Sequence, residues 1–317
     1  MADICRYCKE EKTEQLFETV DIFQQNWKIC KCRICNAFFL SPIPTDEQLK
    51  LAYDSAYYGE GENKFVFSIE KFIDHFRRKK AKYIAAQIPE NAKVLDLGCG
   101  NGRFLHHLSV FGNFDLHGIE MEGVSAERAA KVKEIKLKVK PLSQSDYPDD
   151  TFDAITLFHV FEHIDNPEET LGIIKNILKK DGLFVVSFPN IAGWQAKIFR
   201  GKWYHLDPPR HLLFLDPVDF IKIMDGFGFR LVQKKWFSFE QNPYGWVQSC
   251  LNRMCEKREV LYERLKGNNS YSPEYGFFNI FLQKLFFIFT LSFFVLLDAV
   301  ESMFGKSATV QLTFRKK

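Results

Sequence analysis

The sequence predicts an α/β protein built on a doubly wound parallel sheet, with a cysteine-rich region before the sheet and an apolar insertion near the end. Three observations lead to this prediction. Strand-like and helix-like segments alternate between residues 72 and 236, which is the pattern of parallel strands joined by helical crossovers. Two Cys-x-x-Cys pairs stand in the first 41 residues. A largely apolar stretch at 277–300 precedes a last strand-like segment.

The composition is that of an ordinary globular protein. The chain has 317 residues, 46% of them hydrophobic, and a formal net charge of +3, which suits one large domain with attachments. The small net charge gives no general reason to expect a nucleic-acid partner. The start of the sequence lacks the apolar segment of a secretory signal, so the cytoplasm is the expected compartment. There the eight cysteines are expected to be thiols or metal ligands rather than disulfides.

The first region, residues 1–41, has the spacing of a metal site. Cys5 and Cys8 form one pair, and Cys32 and Cys35 form the other. Four such thiolates can meet at one tetrahedral zinc ion. The site would have no open coordination position, so its zinc would be structural. Reduced cysteines without a metal are the alternative interpretation.

A helical connector is predicted to follow the cysteine-rich region. Pro42 and Pro44 end that region, and Thr45 to Gln48 has the pattern of a capping box that opens a helix. The sequence therefore divides into four predicted regions. They are a zinc ribbon at 1–41, the connector at 42–71, an α/β domain at 72–237 together with 307–317, and a helical, partly hydrophobic insertion at 238–306.

The α/β domain is predicted to begin with a basic amphipathic helix over 72–87. Strands are expected at 94–97, 116–120, 135–139, 154–158, 183–188 and 229–236. Helices are expected at 103–110, 123–133, 167–179 and 217–227. The alternating pattern at 308–315 predicts one more strand after the apolar insertion.

The clearest chemical signal is the turn that follows the first of these strands. Residues 94–102 read Val-Leu-Asp-Leu-Gly-Cys-Gly-Asn-Gly. Glycine at every second position lets the backbone turn tightly and approach a ligand closely before a helix starts. Glu120 ends the next strand, where a carboxylate accepts hydrogen bonds from the hydroxyls of a ribose. The sequence therefore predicts an adenosine-type cofactor at this edge of the sheet.

The surrounding motifs resemble those of the class I S-adenosylmethionine-dependent methyltransferases. The resemblance covers roughly 72–236 and the terminal strand. It rests on the glycine-rich run, Gly118-Ile119-Glu120, Phe152-Asp153-Ala154-Ile155, His159-Val160-Phe161-Glu162-His163 and Asp181-Gly182-Leu183-Phe184. Residues 32–58 are similar to a subgroup with a four-cysteine zinc ribbon, Pro-x-Pro and a tyrosine-rich helix. The family likeness implies a seven-stranded Rossmann-like sheet whose last strand enters beside the strand at 229–236.

The resemblance also implies which residues hold S-adenosylmethionine. Asp96, Gly98 and Gly100 would cradle the junction of its methionine and adenosine parts. Glu120 would take the ribose hydroxyls, and Met121 would pack against the adenine. The remaining expected contacts are Cys99, Gly102, Leu142, Phe158 and His159.

The methyl acceptor is expected to meet the loop at 203–211, after the fifth strand. The loop is polar, aromatic and rigidified by proline, and methyltransferases of this kind place acceptor-binding elements there. Tyr204, Arg210 and His211 are predicted to bind the acceptor, since a guanidinium suits a phosphate or carboxylate. A base is needed only if the acceptor loses a proton. The candidate bases are His163, His205 and His211, because histidine titrates near neutral pH.

Topology restricts what the apolar segment at 277–300 does. In the fold that the resemblance implies, it lies between two strands of one sheet, so a single membrane crossing would leave the last strand on the wrong side of the bilayer. An interfacial or re-entrant helix, a helical hairpin, and a soluble lid or dimer surface remain open. The flanking Lys284 and Lys306, and an uninterrupted run shorter than the roughly 20 residues of a full span, favour contact with a membrane surface.

The sequence thus predicts a cytoplasmic S-adenosylmethionine-dependent methyltransferase, peripheral to the inner face of the membrane. Its acceptor would be small or lipid-linked: a sugar, a polysaccharide precursor or an isoprenoid-type intermediate. A nicotinamide-dependent oxidoreductase or epimerase is one alternative, and it predicts a longer glycine spacing that is absent. A non-catalytic, methyltransferase-like zinc-ribbon adaptor is the other. O-, N- and C-methylation stay open, because the fold fixes the donor and the loops choose the acceptor.

Overall fold

The computed structural model describes residues 3–53, 67–268 and 271–317, with backbone alone for 67–72. The chain forms two compact units. The sheet unit contains Phe67–Phe188, Phe220–Lys234 and Gln311–Lys317, and the ribbon unit contains Met1–Val66, Pro189–Asp219 and Lys235–Val310. The division into four predicted regions stays a prediction, and residues 54–66 of the connector lie outside the described residues.

Strands and helices are numbered along the described chain. The strands are β1 (Thr13–Val20), β2 (Asn26–Cys32), β3 (Phe38–Ser41), β4 (Lys93–Leu97), β5 (Asp115–Glu120), β6 (Ile135–Val139), β7 (Phe152–Phe158), β8 (Leu178–Pro189), β9 (Leu213–Phe214), β10 (Phe229–Lys235) and β11 (Thr309–Lys316). The helices are α1 (Asp46–Ala52), α2 (Phe67–Ala85), α3 (Arg103–Ser109), α4 (Val124–Ala129), α5 (Pro167–Ile177), α6 (Trp194–Phe199), α7 (Pro217–Gly226), α8 (Asn242–Met254), α9 (Val260–Leu265) and α10 (Phe277–Met303).

The sheet unit is built on seven strands in the order β10-β11-β8-β7-β4-β5-β6. Strand β4 pairs in parallel with β5 and β7, β5 with β6, and β7 with β8. Val94 and Leu95 are fully buried at the centre, as expected for a parallel strand covered by helices on both faces. Strand β11 inserts between β8 and β10, so the predicted seven-stranded Rossmann-like sheet is confirmed.

The boundary between α5 and β8 differs from the sequence prediction. The helix ends at Ile177 and the strand begins at Leu178, well before the predicted start at 183. The pairing of β7 with β8 shifts its register here, and Asp181 has a φ of 59°. This irregular, polar start of β8 breaks the apolar pattern from which strands are recognised.

The ribbon unit has a separate four-stranded sheet in the order β1-β2-β3-β9. Its neighbouring strands pair antiparallel. Helix α1 begins with the predicted capping box: the Thr45 side chain accepts the Gln48 N–H, and the Gln48 side chain accepts the Thr45 N–H. Two of the four backbone donors left unpaired at that helix start are therefore satisfied.

The apolar segment forms α10, one continuous helix of 27 residues. Of the alternatives left open by the sequence, the helical hairpin is therefore wrong. Helix α10 is the one helix among the described residues that is long and apolar enough to cross a membrane, and 11% of its apolar window is buried. It packs against α8, where the Phe294 ring stacks on Trp246 with centroids 5.5 Å apart.

Candidate functional site

The glycine-rich turn between β4 and α3 has a backbone that only glycine adopts readily. Gly98 and Gly100 have φ angles of 69° and 57°, in the left-handed region that penalises side chains. A Cβ atom on Gly98 would lie 2.4 Å from Cγ2 of Val160, whereas one on Gly100 would meet nothing within 4 Å. The turn is therefore packed tightly at Gly98 and open at Gly100, which leaves room for a ligand beside the Gly100 backbone.

Glu120, at the end of β5, faces this turn. Its Oε2 accepts the Gly100 N–H at 2.6 Å, and its Oε1 accepts the Met121 N–H at 3.1 Å. Burial raises the pKa of the Glu120 carboxyl, and the two hydrogen bonds oppose that rise. Each carboxylate oxygen keeps a further lone pair, so Glu120 can also accept from the two neighbouring hydroxyls of a ribose.

Asp96 occupies the equivalent end of β4. It is 3% exposed, and its Oδ1 accepts the Thr156 hydroxyl at 2.6 Å. Burial raises the pKa of Asp96 to about 7; the negative charge of Glu120 adds to the rise and the Thr156 hydroxyl opposes it. A cationic ligand group beside Asp96 would favour the ionised form. The acidic pair and the open Gly100 backbone therefore fit a cofactor that carries both a ribose and an amino group.

The other side chains predicted to line a cofactor lie at the ends of β5, β6 and β7. Met121 follows β5 and is 58% exposed, and Leu142 is half-buried in the loop after β6. Phe158 ends β7 and packs edge-on against Phe104, with ring centroids 5.0 Å apart. His159 follows with a φ of 56°, a strained conformation that is common at functional sites.

Cys99 and Gly102 serve the packing of the turn. The Cys99 thiol lies over Gly118, since a Cβ atom there would be 2.8 Å from the sulfur. A Cβ atom on Gly102 would lie 2.7 Å from Cδ1 of Ile135. Contact of Cys99 and Gly102 with a cofactor stays a prediction, and the packing explains why Gly118 and Gly102 carry no side chain.

The segment after β7 holds an ionisable pair. His159 Nδ1 lies 3.5 Å from Oε1 of Glu162, which is 1% exposed. The His159 N–H donates to the Ser187 carbonyl at 2.9 Å. The predicted base His163 is half-buried at the end of a short 3₁₀ turn.

The loop at 203–211 is more buried than its polar composition suggests. His205 is 5% exposed and lies against Gly245 of α8, where a Cβ atom would be 2.7 Å from its Nε2. His211 is 8% exposed, and its Nδ1 lies 2.8 Å from the His205 carbonyl oxygen. Burial here fixes both rings within the loop.

Arg210 and Tyr204 are also held by neighbours in this loop. Arg210 is 2% exposed, pairs with Asp207 and donates to the Ala52 carbonyl at 2.9 Å. Tyr204 is half-buried between the rings of Tyr244 and Tyr262, and burial raises its pKa well above the usual value. Binding of the acceptor by these residues stays a prediction.

Sequence reasoning missed two polar residues within β7 and β8. Thr156 supplies the hydrogen bond to Asp96. Ser187, within the described residues, has a buried hydroxyl without a hydrogen-bond partner, and it lies opposite Phe158 in the β7–β8 register. Each is a single hydroxyl-bearing residue flanked by apolar ones, and this pattern could have identified it from the sequence.

The four cysteines of the ribbon come together as predicted. The sulfur atoms of Cys5, Cys8, Cys32 and Cys35 all lie within 4.8 Å of one another. The Cys5–Cys35 and Cys8–Cys32 pairs are each 3.5 Å apart, close to the roughly 3.8 Å edge of a tetrahedron with zinc–sulfur bonds of about 2.3 Å. The Ile34 N–H points at the Cys32 sulfur from 3.3 Å, as thiolate ligands favour. The cluster therefore fits a structural zinc ion.

Comparison with known proteins gives the sheet unit a family. The sequence model of a methyltransferase domain matches residues 69–234, more than half of the chain. The ubiquinone biosynthesis O-methyltransferase of Glaesserella parasuis is 31% identical over 108 residues, which cover 31% of this chain and 45% of that protein. The sterol 24-C-methyltransferase of Neurospora crassa is 29% identical over 113 residues, which cover 33% and 30%. The chain thus spans less than half the length of these relatives.

A solved structure shows the same fold at low sequence identity. The cyclase SpnF superposes with a TM-score of 0.54 at 16% identity, covering 86% of this chain and 96% of that one. The likeness concerns the fold alone, which hosts more than one chemistry. The sequence match over 69–234 is what assigns the family. With its glycine turn and paired carboxylates, the chain belongs to the class I S-adenosylmethionine-dependent methyltransferase domain family.

Proposed function

We propose that the protein transfers the methyl group of S-adenosylmethionine to a small or lipid-linked acceptor. The observation that carries this proposal is the open backbone at Gly100, flanked by the buried carboxyl group of Asp96 and the half-buried one of Glu120. In this assignment Glu120 accepts the ribose hydroxyls, and Asp96 receives the amino group or an ordered water. Phe158 and His159 face the methionine end.

The chemistry needs little more than positioning. When bound, the sulfonium would supply an electrophilic methyl group, which an electron pair of the acceptor would take in line as the carbon–sulfur bond breaks and S-adenosylhomocysteine leaves. Holding an acceptor close and aligned accounts for much of such a rate enhancement. We assign that task to the loop at 203–211, through Tyr204, Arg210 and His211. Because Arg210 is buried and paired with Asp207, it would act by shaping the loop unless the ion pair opens.

Proton removal depends on the acceptor. A hydroxyl or amine acceptor loses a proton, and His163, His205 and His211 are the proposed bases. His163 is the more exposed of these three residues, since His205 and His211 are 5% and 8% exposed. A base must come within hydrogen-bond reach of its proton, which favours His163 as the first of the three to test.

A lipid-linked acceptor is supported by two observations. The relatives named above act, by their names, in ubiquinone biosynthesis and on a sterol. Helix α10 also turns its apolar side outward: Phe289 is 77% exposed and Met303 is 81% exposed, while Asp298 is fully buried. Such an inverted helix suits a membrane interface, so we place the protein on the inner face of the cytoplasmic membrane.

The zinc ribbon is proposed to be structural. Four cysteine ligands leave no coordination position for a substrate. We propose on this basis that the chain belongs to the subgroup of methyltransferases with an N-terminal zinc ribbon.

Calorimetric titration of the full chain with S-adenosylmethionine tests the donor. Saturable binding at one site per chain is expected, and absence of binding would favour the adaptor alternative. Incubation with methyl-labelled cofactor and a lipid and sugar-nucleotide extract of the source cell then identifies the acceptor. Binding without transfer to any fraction would separate a cofactor-binding adaptor from an enzyme.

A further inference from the structure

A groove of about 520 Å³ lies within the ribbon unit, between the four-stranded sheet and α6. Its apolar lining combines Phe17 and Phe38 of the ribbon with Ile191 and Ala196 from the segment that contains α6. The groove belongs to neither the cofactor site nor the cysteine cluster. Two aromatic rings and two aliphatic side chains make a surface suited to an apolar ligand portion.

Cationic side chains outnumber carboxylates around this groove. Four basic residues line it, against two acidic ones. The basic residues are Lys31, Lys197, Arg200 and Lys306, and the acidic ones are Asp216 and Asp219. Asp216 already accepts the Val218 N–H at 2.8 Å. The excess of two positive charges favours an anionic ligand.

Two of the cations are fixed over the aromatic lining. The Lys31 ammonium lies 5.3 Å from the centre of the Phe38 ring, and the Arg200 guanidinium lies 5.4 Å from that of Phe17. Arg200 also donates to the Leu16 carbonyl at 2.8 Å. Within the described part of the chain, the ammonium groups of Lys197 and Lys306 have no hydrogen-bond or ion-pair partner, which leaves them available to a ligand.

The groove adjoins the apolar face of α10. Lys306, which lines it, follows the helix end by three residues. Phe304 is 64% exposed, and its ring lies 5.7 Å from that of Trp194, the first residue of α6. The exposed apolar surface of α10 therefore extends over Phe304 and Trp194 as far as the exposed Lys197.

We propose that this groove binds the phosphate group of an anionic membrane lipid. The proposal rests on the membrane contact of α10 proposed above. Lys197 and Lys306 would bind the phosphate, while Phe17 and Phe38 contact the adjoining apolar part of the lipid. A free phosphate has no apolar part that could contact the aromatic lining or the adjacent apolar face. The lipid is therefore the better occupant. The ribbon, held together at its four cysteines, would then serve as one wall of a lipid site.

Vesicle co-sedimentation of the full chain tests this proposal. One set of vesicles contains phosphatidylcholine alone, and the other also contains phosphatidylglycerol. The wild-type chain is expected to bind both and to prefer the anionic set. The double variant Lys197→Gln, Lys306→Gln should lose affinity for anionic vesicles by about fivefold per lysine and keep its affinity for phosphatidylcholine. Circular dichroism melting checks its fold.

A matched control separates the groove from general surface charge. Lys131 and Lys133 are exposed lysines of the sheet unit, and the variant Lys131→Gln, Lys133→Gln makes the same change in charge. Equal losses in the two double variants would overturn the groove assignment. Equal wild-type binding to both vesicle types would also overturn it, while leaving the membrane contact of α10 intact.

Two further outcomes concern the ligand and the underlying proposal. Release of the wild-type chain from anionic vesicles by inorganic phosphate, at a concentration matched to the lipid, would assign the groove to free phosphate and contradict the lipid. Failure to bind either vesicle type would instead overturn the membrane contact itself. The two failures are therefore distinguishable.

Discussion

Single residues at the ends of β4 and β5 determine the chemistry of the candidate cofactor site. Asp96 is a buried carboxyl group and Glu120 a half-buried one, and removal from solvent raises both pKa values. The Gly100 N–H holds the Glu120 side chain beside the glycine turn. The spacing from the glycines predicted Asp96, and the position at the end of the next strand predicted Glu120. The hydrogen bond from Thr156 that restrains Asp96 is a contact between strands, and it could be found only in the folded protein.

Replacing Glu120 with Gln should weaken binding of S-adenosylmethionine by about 1 to 3 kcal/mol, because an amide is a poorer acceptor for two ribose hydroxyls than a carboxylate. Isothermal calorimetry measures the change. Glu122→Gln is the matched control, since Glu122 is exposed two residues away and should leave the affinity unchanged. Wild-type affinity in Glu120→Gln would show that the ribose lies elsewhere.

Asp96 should make stability depend on pH. Its pKa is about 7 in the folded chain and near 3.8 when unfolded, so the folded state binds the proton more tightly. That stabilisation is complete below the unfolded pKa and is lost as pH rises through 7. Between pH 5 and pH 8 the wild-type chain should lose about 2 to 3 kcal/mol more unfolding free energy than Asp96→Asn.

Urea denaturation at the two pH values measures this difference. Asp149→Asn provides the control, because Asp149 is exposed and should keep the wild-type pH profile. Parallel profiles for wild type and Asp96→Asn would mean that Asp96 is ionised in the folded chain throughout this range.

Among the helices, α10 is amphipathic with a buried polar side and an exposed apolar side. Gln283, Asp298 and Glu301 are buried, and Asp298 accepts the Asn242 side-chain amide at 2.9 Å. Trp246 donates to Glu301 at 3.0 Å. The helix is thus fixed to α8 by polar contacts and ring stacking, while most of its phenylalanines remain outside.

Two adjacent phenylalanines of α10 should differ sharply in their effect on stability. Phe294 is 7% exposed and stacks on Trp246, so Phe294→Ala should lower the unfolding free energy by about 3 to 5 kcal/mol. Phe293 is 61% exposed, and Phe293→Ala should change it by less than about 0.5 kcal/mol. Denaturant titration of both variants provides the comparison; equal losses would contradict the described packing of α10 on α8.

At the scale of the whole molecule, one metal ion should stabilise the ribbon unit. The purified chain is expected to hold one zinc per molecule, because the four thiolates form one closed site. Cys8→Ser should lower the zinc content and reduce the melting temperature by about 5 °C or more, since ligand loss removes folding free energy.

Cys30 provides the internal control for that experiment. It is fully buried, and its thiol lies 3.6 Å from Oδ2 of Asp3, outside the cluster of four. Cys30→Ser should therefore keep the full zinc content, as measured by atomic emission. Loss of zinc in Cys30→Ser, or its retention in Cys8→Ser, would require a different ligand set.

Local sequence patterns predicted the sheet, the glycine turn at its edge and the cluster of four cysteines. Those features depend on local periodicity and on fixed spacings such as Cys-x-x-Cys and Gly-x-Gly-x-Gly. Such patterns can be recognised without knowing which distant residues are in contact. Three properties became visible only in the folded chain: the outward side of α10, the burial of His205 and Arg210, and the cationic groove between the ribbon and α6. These properties arise from residues far apart in the chain, whose packing no local pattern encodes.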